Sequence, residues 1–475
     1  MNFIIIASLL TVDLLGQSNL RPAEKKFVSE TIKETIKRVN LQLKKISEKM
    51  KDNNLKYTFI NSFPNTLDTT VISYDPNIPD SFVITGDITA MWLRDSTNQL
   101  WTYMEFVNID SKLQNLVKGA INRQINQVLI DPYANAFNYQ KKNRIGVMKI
   151  QLAVFQELMY MQCHSISMRG NSKLIHQLLF QDYLLAITEK QMTHQQQISN
   201  TQRLTFRDSQ ADQQEQFKSF RFPYTFQRNA RSTDTVINGI GEPVKRTGML
   251  RTFFRASDDS TVYQFNIPEN AMAAAVLKQT AEMLSEAQLS WPLRQAAEPL
   301  IKEALALSQE IKDAIYKYGI KDGAFVYEVD GMGKQVFMDD SNQPSLLSLP
   351  IYGFIEIDDP LYQATRKKAL SSSNPYYYEG TAAKGIGGPH IGTNYNWPMA
   401  IITQGLTTNN KQELRECLRM LVTTTGNKWF MHESFFKDNP NRFTKPLFAW
   451  ANGLFGELVL KIDKVYPDLL EENYA

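Results

Sequence analysis

Apolar residues recur every three or four positions over several long stretches of the chain. Between Ala23 and Asn54 such a stripe is formed by Phe27, Ile32, Ile36, Val39, Leu43 and Ile46. This spacing is that of an amphipathic helix with one buried face. The same pattern predicts helices over Leu113–Val128, Val147–Met161, Asn270–Leu284, Pro292–Tyr318, Gln412–Val422 and Leu454–Ile462. The chain is therefore predicted to be mostly helical.

The segments between these helices are rich in Gly, Pro, Asn, Asp and Trp, as in ITGDITAMWLRDSTNQLW and GIGGPHIGTNYNWP. They lack the alternation of a long strand, so they are predicted to be loops. Loops of this kind on a rigid scaffold commonly carry function. The Gln-rich stretch from about Thr193 to Gln216 is predicted to be a polar surface insertion.

Repeated helices and loops over more than 400 residues suit either an open solenoid or a closed toroid of helical hairpins. A solenoid normally has a sequence repeat of roughly 30 to 45 residues. No such repeat is visible, and the polar loops differ from one another. We therefore predict an all-α toroid, one catalytic domain over residues 19–475, with its loops gathered around one pocket.

The first 18 residues, MNFIIIASLLTVDLLGQS, have the apolar run of a signal peptide, although no Lys or Arg precedes it and Asp13 interrupts it. A cleaved signal predicts secretion or a secretory or lysosome-like compartment; the alternative is an N-terminal helix, which leaves a cytoplasmic location open. Elsewhere no stretch reaches the roughly 18 apolar residues of a transmembrane helix. Cys163 and Cys417 lie in apolar helical stretches and are predicted to be buried free thiols; the alternative is one disulfide bridge between them.

Charge and motifs exclude several classes of function. The net charge is only +3, and Lys and Arg are not gathered on one face, so no nucleic-acid partner is predicted. The sequence has no GxGxxG or GxxxxGK[ST] motif, no HExxH spacing among its five His residues, and no GxSxG elbow. We therefore predict no cofactor and no metal ion.

The remaining candidates for catalytic residues are acidic residues in loops that aromatic residues flank. These residues are Asp87, Asp95, Asp258, Asp259, Asp339, Asp340 and Glu433. Hydrolysis of a glycosidic bond needs a protonated carboxyl group that donates to the leaving oxygen and a carboxylate that attacks or activates water. Each acid also has a plainer explanation: Asp258 and Asp259 could cap the helix that follows, Glu433 could form a surface salt bridge, and Arg94–Asp95 could be an internal ion pair.

Five blocks occur in order between about Thr85 and Leu460: TGDITAMWLRDSTNQLWTY, TGMLRTFFRASDDSTVYQFNIPENAMAAAVLKQTAEM, YEVDGMGKQVFMDDSNQPSLLSLPIYGF, GIGGPHIGTNYNWPMAIITQGLTT and MHESFFKDNPNRFTKPLFAWANGLFGELVL. In this order they closely resemble glycoside hydrolase family 125, the metal-independent exo-α-1,6-mannosidases. The resemblance implies an (α/α)6 barrel, an inverting mechanism, and an acid and a base in the SDD and HESF motifs. Glu433 would be the general base and either Asp258 or Asp259 the general acid, with Asp259 preferred.

By the same motifs, the residues that resemble the lining of the terminal-mannose pocket are Trp92, Arg94, Asp95, Asp339, Asp340, Asn342, His390 and Trp397. Carboxylates and Arg can bind vicinal hydroxyls in pairs, and an indole can pack against the C–H face of a sugar. An Arg94–Asp95 brace behind the pocket is equally consistent with the motif. The chain departs from the family pattern at Ala256, Ser260 and Arg251, which bears on substrate preference.

A mannose-containing glycan is the predicted partner, and the protein is predicted to be a monomer. Two alternatives stay open. One is a glycosidase or glycan phosphorylase of the same fold with another sugar or linkage, since fold does not determine function. The other is an inactive glycan-binding protein, against which the retained acids argue.

Overall fold

The computed structural model describes residues 39–139, 235–287 and 291–474, apart from positions 40, 76, 78, 132, 133, 135 and 240. The predicted signal segment, the helix Val147–Met161, Cys163 and the Gln-rich stretch lie outside the described residues.

Helices dominate the described part of the chain. Residues 41–47 are helical, and the helices that follow are α1 (Asn53–Ser62), α2 (Leu93–Trp101), α3 (Ser111–Ile130), α4 (Ile267–Glu286), α5 (Trp291–Tyr318), α6 (Pro360–Ala369), α7 (Pro398–Leu406), α8 (Lys411–Thr423) and α9 (Ala449–Val465).

The apolar stripes predicted most of the long helices. Helices α3, α4, α5, α8 and α9 contain the ranges predicted for them, and Cys417 is buried in α8 as expected. The prediction of one helix from Ala23 to Asn54 is wrong at its carboxyl end, because the helical residues stop at position 47. Asp52 begins α1 instead, where its carboxylate accepts a hydrogen bond of 2.8 Å from the Leu55 amide and so caps the helix.

Helix α2 lies where the sequence predicted only loop. It is short and polar, and Thr97 and Asn98 donate side-chain hydrogen bonds to the carbonyl oxygens one turn earlier. Its stability comes from packing against α9. A helix of this kind has too few turns to show an apolar stripe.

Short antiparallel ladders accompany the helices, so the described residues are not purely helical. The ladders are β1–β2 (Val71–Asp75, Asp80–Val83), β3–β4 (Ala90–Met91, Phe137–Asn138), β5–β8–β9 (Phe265–Asn266, Glu328–Val329, Gln335–Val336), β6–β7 (Ile320–Lys321, Ala324–Phe325), β10–β11 (Tyr377–Glu379, Lys384–Ile386) and β12–β13–β14 (Tyr395–Asn396, Ser434–Phe436, Asn439–Thr444). Most of these strands have two or three residues, which is too short for alternation to be read from sequence.

Helix pairs form the core. Helix α5 packs along α4, and α9 packs against α1, α2 and α7. Trp450, Phe455 and Leu458 of α9 are almost completely buried. No helix in the described ranges is both long and apolar enough to span a membrane.

The junctions between strands and helices place the acidic motifs. Strand β3 leads into α2, β5 into α4, β12 into α7 and the β13–β14 hairpin into α9. The first motif lies at the β3–α2 junction and Trp397 at the β12–α7 junction, whereas the SDD motif precedes β5, the MDDSN motif follows β9 and the HESF motif leads into β13.

Candidate active site

The SDD motif forms a tight turn before β5. Phe254 pairs with Ser260, and the amide of Arg255 donates a hydrogen bond of 2.8 Å to the carbonyl oxygen of Asp259. Asp258 at the tip has a φ of +67°, a left-handed conformation that is uncommon for residues other than glycine. Such conformations persist where the surrounding structure enforces them and are enriched at functional sites.

Helix capping does not explain the two aspartates. The N-cap of α4 is Asn266, whose side chain accepts a hydrogen bond of 3.0 Å from the Glu269 amide. Asp258 and Asp259 therefore do not cap this helix.

The two neighbouring aspartates have different surroundings. The Asp259 side chain is 1% exposed: Ser257 donates a hydrogen bond of 2.9 Å to its Oδ2, and its Oδ1 lies 3.6 Å from His390 Nδ1. The Asp258 side chain is 26% exposed, and its Oδ2 lies 3.9 Å from Arg94 Nη2. One carboxylate is thus buried behind the turn and the other is open to solvent.

A buried ion pair braces the turn. Arg255 Nε donates a hydrogen bond of 2.6 Å to Glu328 Oε1, and Glu328 Oε2 accepts the amides of Val262 and Tyr263 at 2.9 and 3.1 Å. Burial acts to lower the pKa of Arg255, but Glu328 outweighs it and the pKa is raised. Sequence analysis missed this pair, because 73 residues separate the partners.

The two acids of the MDDSN motif take different positions. Asp339 is fully buried and accepts the amides of Leu346 and Leu347 at 2.7 and 3.0 Å. Burial raises the pKa of Asp339 to about 8. These contacts show that Asp339 holds the loop from its own position to Leu347 together.

Asp340 lies closer to the SDD turn and interacts electrostatically with Asp259. Its Oδ1 accepts hydrogen bonds from the amide and the side chain of Asn342 at 3.1 and 3.2 Å. Its buried Oδ2 accepts none from the described residues. Burial raises the pKa of Asp340. The two hydrogen bonds from Asn342 orient this carboxyl group.

Arg94 connects the first motif to the SDD turn. It lies in the first turn of α2 and donates a hydrogen bond of 3.0 Å to Asp95 Oδ2, and its guanidinium group lies 5.2 Å from the centre of the Trp450 ring. Burial raises the pKa of Asp95, opposed by Arg94. Trp92, the N-cap residue of α2, is partly exposed, so its indole is the one predicted Trp that still presents surface to a ligand.

Trp397 is covered by protein. It is 2% exposed and contacts His390 edge to face at a centroid distance of 6.2 Å and Phe448 at 6.4 Å. It therefore supports His390, which in turn faces Asp259. The role of Trp397 as pocket lining stays a prediction.

Glu433 immediately precedes β13 and is 6% exposed. Its Oε1 lies 3.3 Å from the ammonium nitrogen of Lys445, which also lies 3.2 Å from Asp87 Oδ2. Lys445 interacts electrostatically with Asp95 as well. The acids of three separate motifs, Asp87 and Asp95, Asp258, and Glu433, are thus linked through Arg94 and Lys445.

Glu269 is a further acid of the site that sequence reasoning missed. Desolvation raises its pKa to about 8, opposed by a hydrogen bond from Thr252 and by the charge of Arg94. Its position in the first turn of α4, directly after the SDD block, was the only signal in the sequence.

Within the described residues, no group of three or more His, Cys, Asp or Glu side chains is arranged to hold a metal ion.

Comparisons with known proteins agree with these motifs. The family described as metal-independent α-mannosidases, glycoside hydrolase family 125, matches residues 52–460. The meiotically up-regulated gene 157 protein of Schizosaccharomyces pombe is 36% identical over 95% of this chain and 90% of its own length. A solved metal-independent α-mannosidase of Streptococcus pneumoniae, in a non-productive complex with α-1,6-mannobiose, is 33% identical over 91% of this chain and 98% of its own, with a TM-score of 0.70. The chain therefore belongs to glycoside hydrolase family 125, the metal-independent α-mannosidases.

Proposed function

We propose that this protein is an inverting exo-α-mannosidase that releases terminal α-1,6-linked mannose from glycans. The observation that carries the proposal is the meeting of two acidic elements, the SDD turn and the start of β13, around Arg94 and Lys445. The complex of the Streptococcus pneumoniae relative with α-1,6-mannobiose supports the linkage.

The same proposal includes a closed (α/α)6 barrel. It is supported by the packing of α5 along α4 and of α9 against α1, α2 and α7. A barrel of this kind gathers its loops at one end, where a pocket for a terminal sugar can form.

In this mechanism Glu433 is the general base and Asp258 the general acid. An exo-acting enzyme holds the terminal sugar deep in its pocket, so the scissile oxygen lies nearer to the mouth. Of the two aspartates, the sequence favoured Asp259, but Asp258 has the exposed carboxyl group that a leaving group can reach. Geometry is the first requirement of a proton donor.

Asp259 and Asp340 are proposed to bind hydroxyls of the terminal mannose. Asp259 Oδ1 and Asp340 Oδ2 are buried and accept no hydrogen bond from the described residues. Such atoms cost free energy unless a ligand or water pairs with them. Arg94 and His390 would add donors beside them, and Trp92 would pack against the sugar ring.

Digestion of α-1,2-, α-1,3- and α-1,6-linked mannobiose, followed by proton NMR, tests this function. We expect the α-1,6-linked disaccharide to be cleaved fastest and β-mannose to appear before mutarotation, since water displaces the leaving group directly. Initial release of α-mannose would contradict inversion, and faster cleavage of another linkage would contradict the proposed specificity.

Chelation tests metal independence. We expect EDTA to leave the rate of mannoside hydrolysis unchanged, because the proposed chemistry uses only carboxyl groups. The control is a calcium-dependent α-mannosidase treated in the same way, which must lose activity. A rate that falls with EDTA and returns with calcium would contradict the prediction.

A further inference from the structure

Lys445 lies in an unusual position for a lysine. Its φ is +43°, a left-handed conformation that side chains other than glycine rarely adopt. Such a conformation costs of order 1–3 kcal/mol and must be enforced by the surrounding contacts. Those contacts come from the residues around Glu433.

His432, the residue before Glu433, anchors the backbone of Lys445. Its Nδ1 lies 3.2 Å from the carbonyl oxygen of Lys445 and 2.9 Å from that of Pro446, and its Nε2 lies 2.9 Å from the carbonyl oxygen of Thr425. The imidazole stacks on Phe443 at a centroid distance of 3.9 Å. Burial lowers the pKa of His432. A neutral imidazole has one N–H, so His432 holds the carbonyl oxygens of Lys445 and Pro446 in the tautomer that carries its proton on Nδ1.

The residue after Glu433 anchors the loop as well. Ser434 pairs with Thr444 in the β13–β14 ladder, and their hydroxyl oxygens are 2.7 Å apart. The segment from Thr444 to Pro446 is thus fixed on both sides of Glu433, and the side chain of Lys445 is directed back to it.

The ammonium group of Lys445 lies between two carboxylates, 3.3 Å from Glu433 and 3.2 Å from Asp87. Burial acts to lower the pKa of Lys445, but Glu433 and Asp87 outweigh it and the pKa is raised. The other charged group that faces Lys445 is Asp95 of α2, which interacts with it electrostatically. Lys445 therefore stays a cation beside Glu433.

We propose that Lys445 is a positioning residue of the reaction: held by His432 and tethered by Asp87, it keeps the Glu433 carboxylate in the orientation that activates water. This inference rests on the proposed role of Glu433. It also assigns a role to Asp87 and His432, namely the placing of the lysine.

The direct test observes the Glu433 carboxyl group by NMR in full-length protein with ¹³C-labelled Glu carboxyl groups, the Glu433 signal being assigned by its loss in Glu433→Gln. We expect Lys445→Met to move the ¹³C signal of Glu433, because the variant removes the cation that lies 3.3 Å from its carboxylate. Lys445→Arg should restore most of the wild-type chemical shift. All three side chains are unbranched, so they bear the same cost at this left-handed position.

Kinetics with an aryl α-mannoside supply the second readout. We expect Lys445→Met to lower kcat/KM by about 10- to 10²-fold, as misplacement of a catalytic group does, and to move the acidic limb of the pH profile upward. The matched control is Lys437→Met, which removes a lysine of the same hairpin paired with Asp438 and should leave both readouts unchanged.

The outcomes separate the two proposals. A Glu433 NMR signal and an acidic limb that stay the same in folded Lys445→Met would overturn this inference while mannosidase activity stood. A wild-type protein without mannosidase activity would refute the proposed function, yet the Glu433 NMR signal would still decide the Lys445–Glu433 interaction. If Lys445→Met does not fold, Asp87→Asn removes the outer tether; an unchanged kcat there would overturn the inference.

Discussion

Glu433→Gln is expected to lose activity on every mannoside, whatever the leaving group. The amide keeps the size of the side chain but cannot take a proton from water, and positioned proton transfer contributes about 10²–10⁴-fold to the rate. We expect kcat/KM to fall by roughly 10² or more on both mannobiose and aryl mannosides. The pH profile should lose its acidic limb.

The matched control for this prediction is Glu416→Gln, the same change at an exposed residue of α8 paired with Arg419, which should retain full activity. Azide added to Glu433→Ala should give only mannosyl azide of inverted configuration, since azide in place of the activated water displaces the leaving group once. A mannosyl azide of retained configuration would need two displacements and hence a covalent intermediate on another carboxylate, which would contradict the inverting mechanism.

Asp258→Asn is expected to abolish cleavage of mannobiose by a comparable factor, roughly 10² or more, while it spares substrates with an activated aryl leaving group. A poor leaving group needs a proton at the glycosidic oxygen, whereas a dinitrophenolate departs without one. The alkaline limb of the pH profile should disappear. Rates on mannobiose and on the aryl mannoside, measured at several pH values, test the loss on mannobiose, the retained rate on the aryl mannoside and the missing alkaline limb.

Asp259→Asn is the matched comparison, since it makes the same change one residue later at a buried carboxyl group. We expect it to raise KM and lower the rate on both substrates alike, as loss of a substrate contact does. Leaving-group dependence in Asp259→Asn in place of Asp258→Asn would exchange their roles. If neither variant shows leaving-group dependence, the proton donor would be sought among Asp95, Asp340 and Glu269.

Local patterns in the sequence predicted the long helices and the family. Stripes such as that of Pro292–Tyr318 extend over several turns, so the helical period is clear and α5 lies where it was expected. Short elements were missed, because α2 and the paired strands have too few residues for a period to appear. Their stability comes from packing against distant segments, as α2 against α9.

The motifs also identified most of the acidic residues that the structure places near one another. They could be identified because each motif is a short run of unusual composition and the motifs occur in a set order along the chain. The roles of Glu433, Asp258 and the pocket residues stay predictions until the variants are measured. Sequence could not find the brace between Arg255 and Glu328 or the contact of Lys445 with Asp87, because each joins segments far apart in the chain.

The sequence by itself therefore determined the helical character of the chain, its membership of the family and the set of acids from which the mechanism is drawn. The tertiary structure alone decided which of two adjacent aspartates is partly exposed and which is buried, that Asp339 and Trp397 are buried, and that a lysine faces Glu433. The physical reason is that composition and period are local properties, whereas burial and charge pairing depend on which distant segments the fold brings into contact.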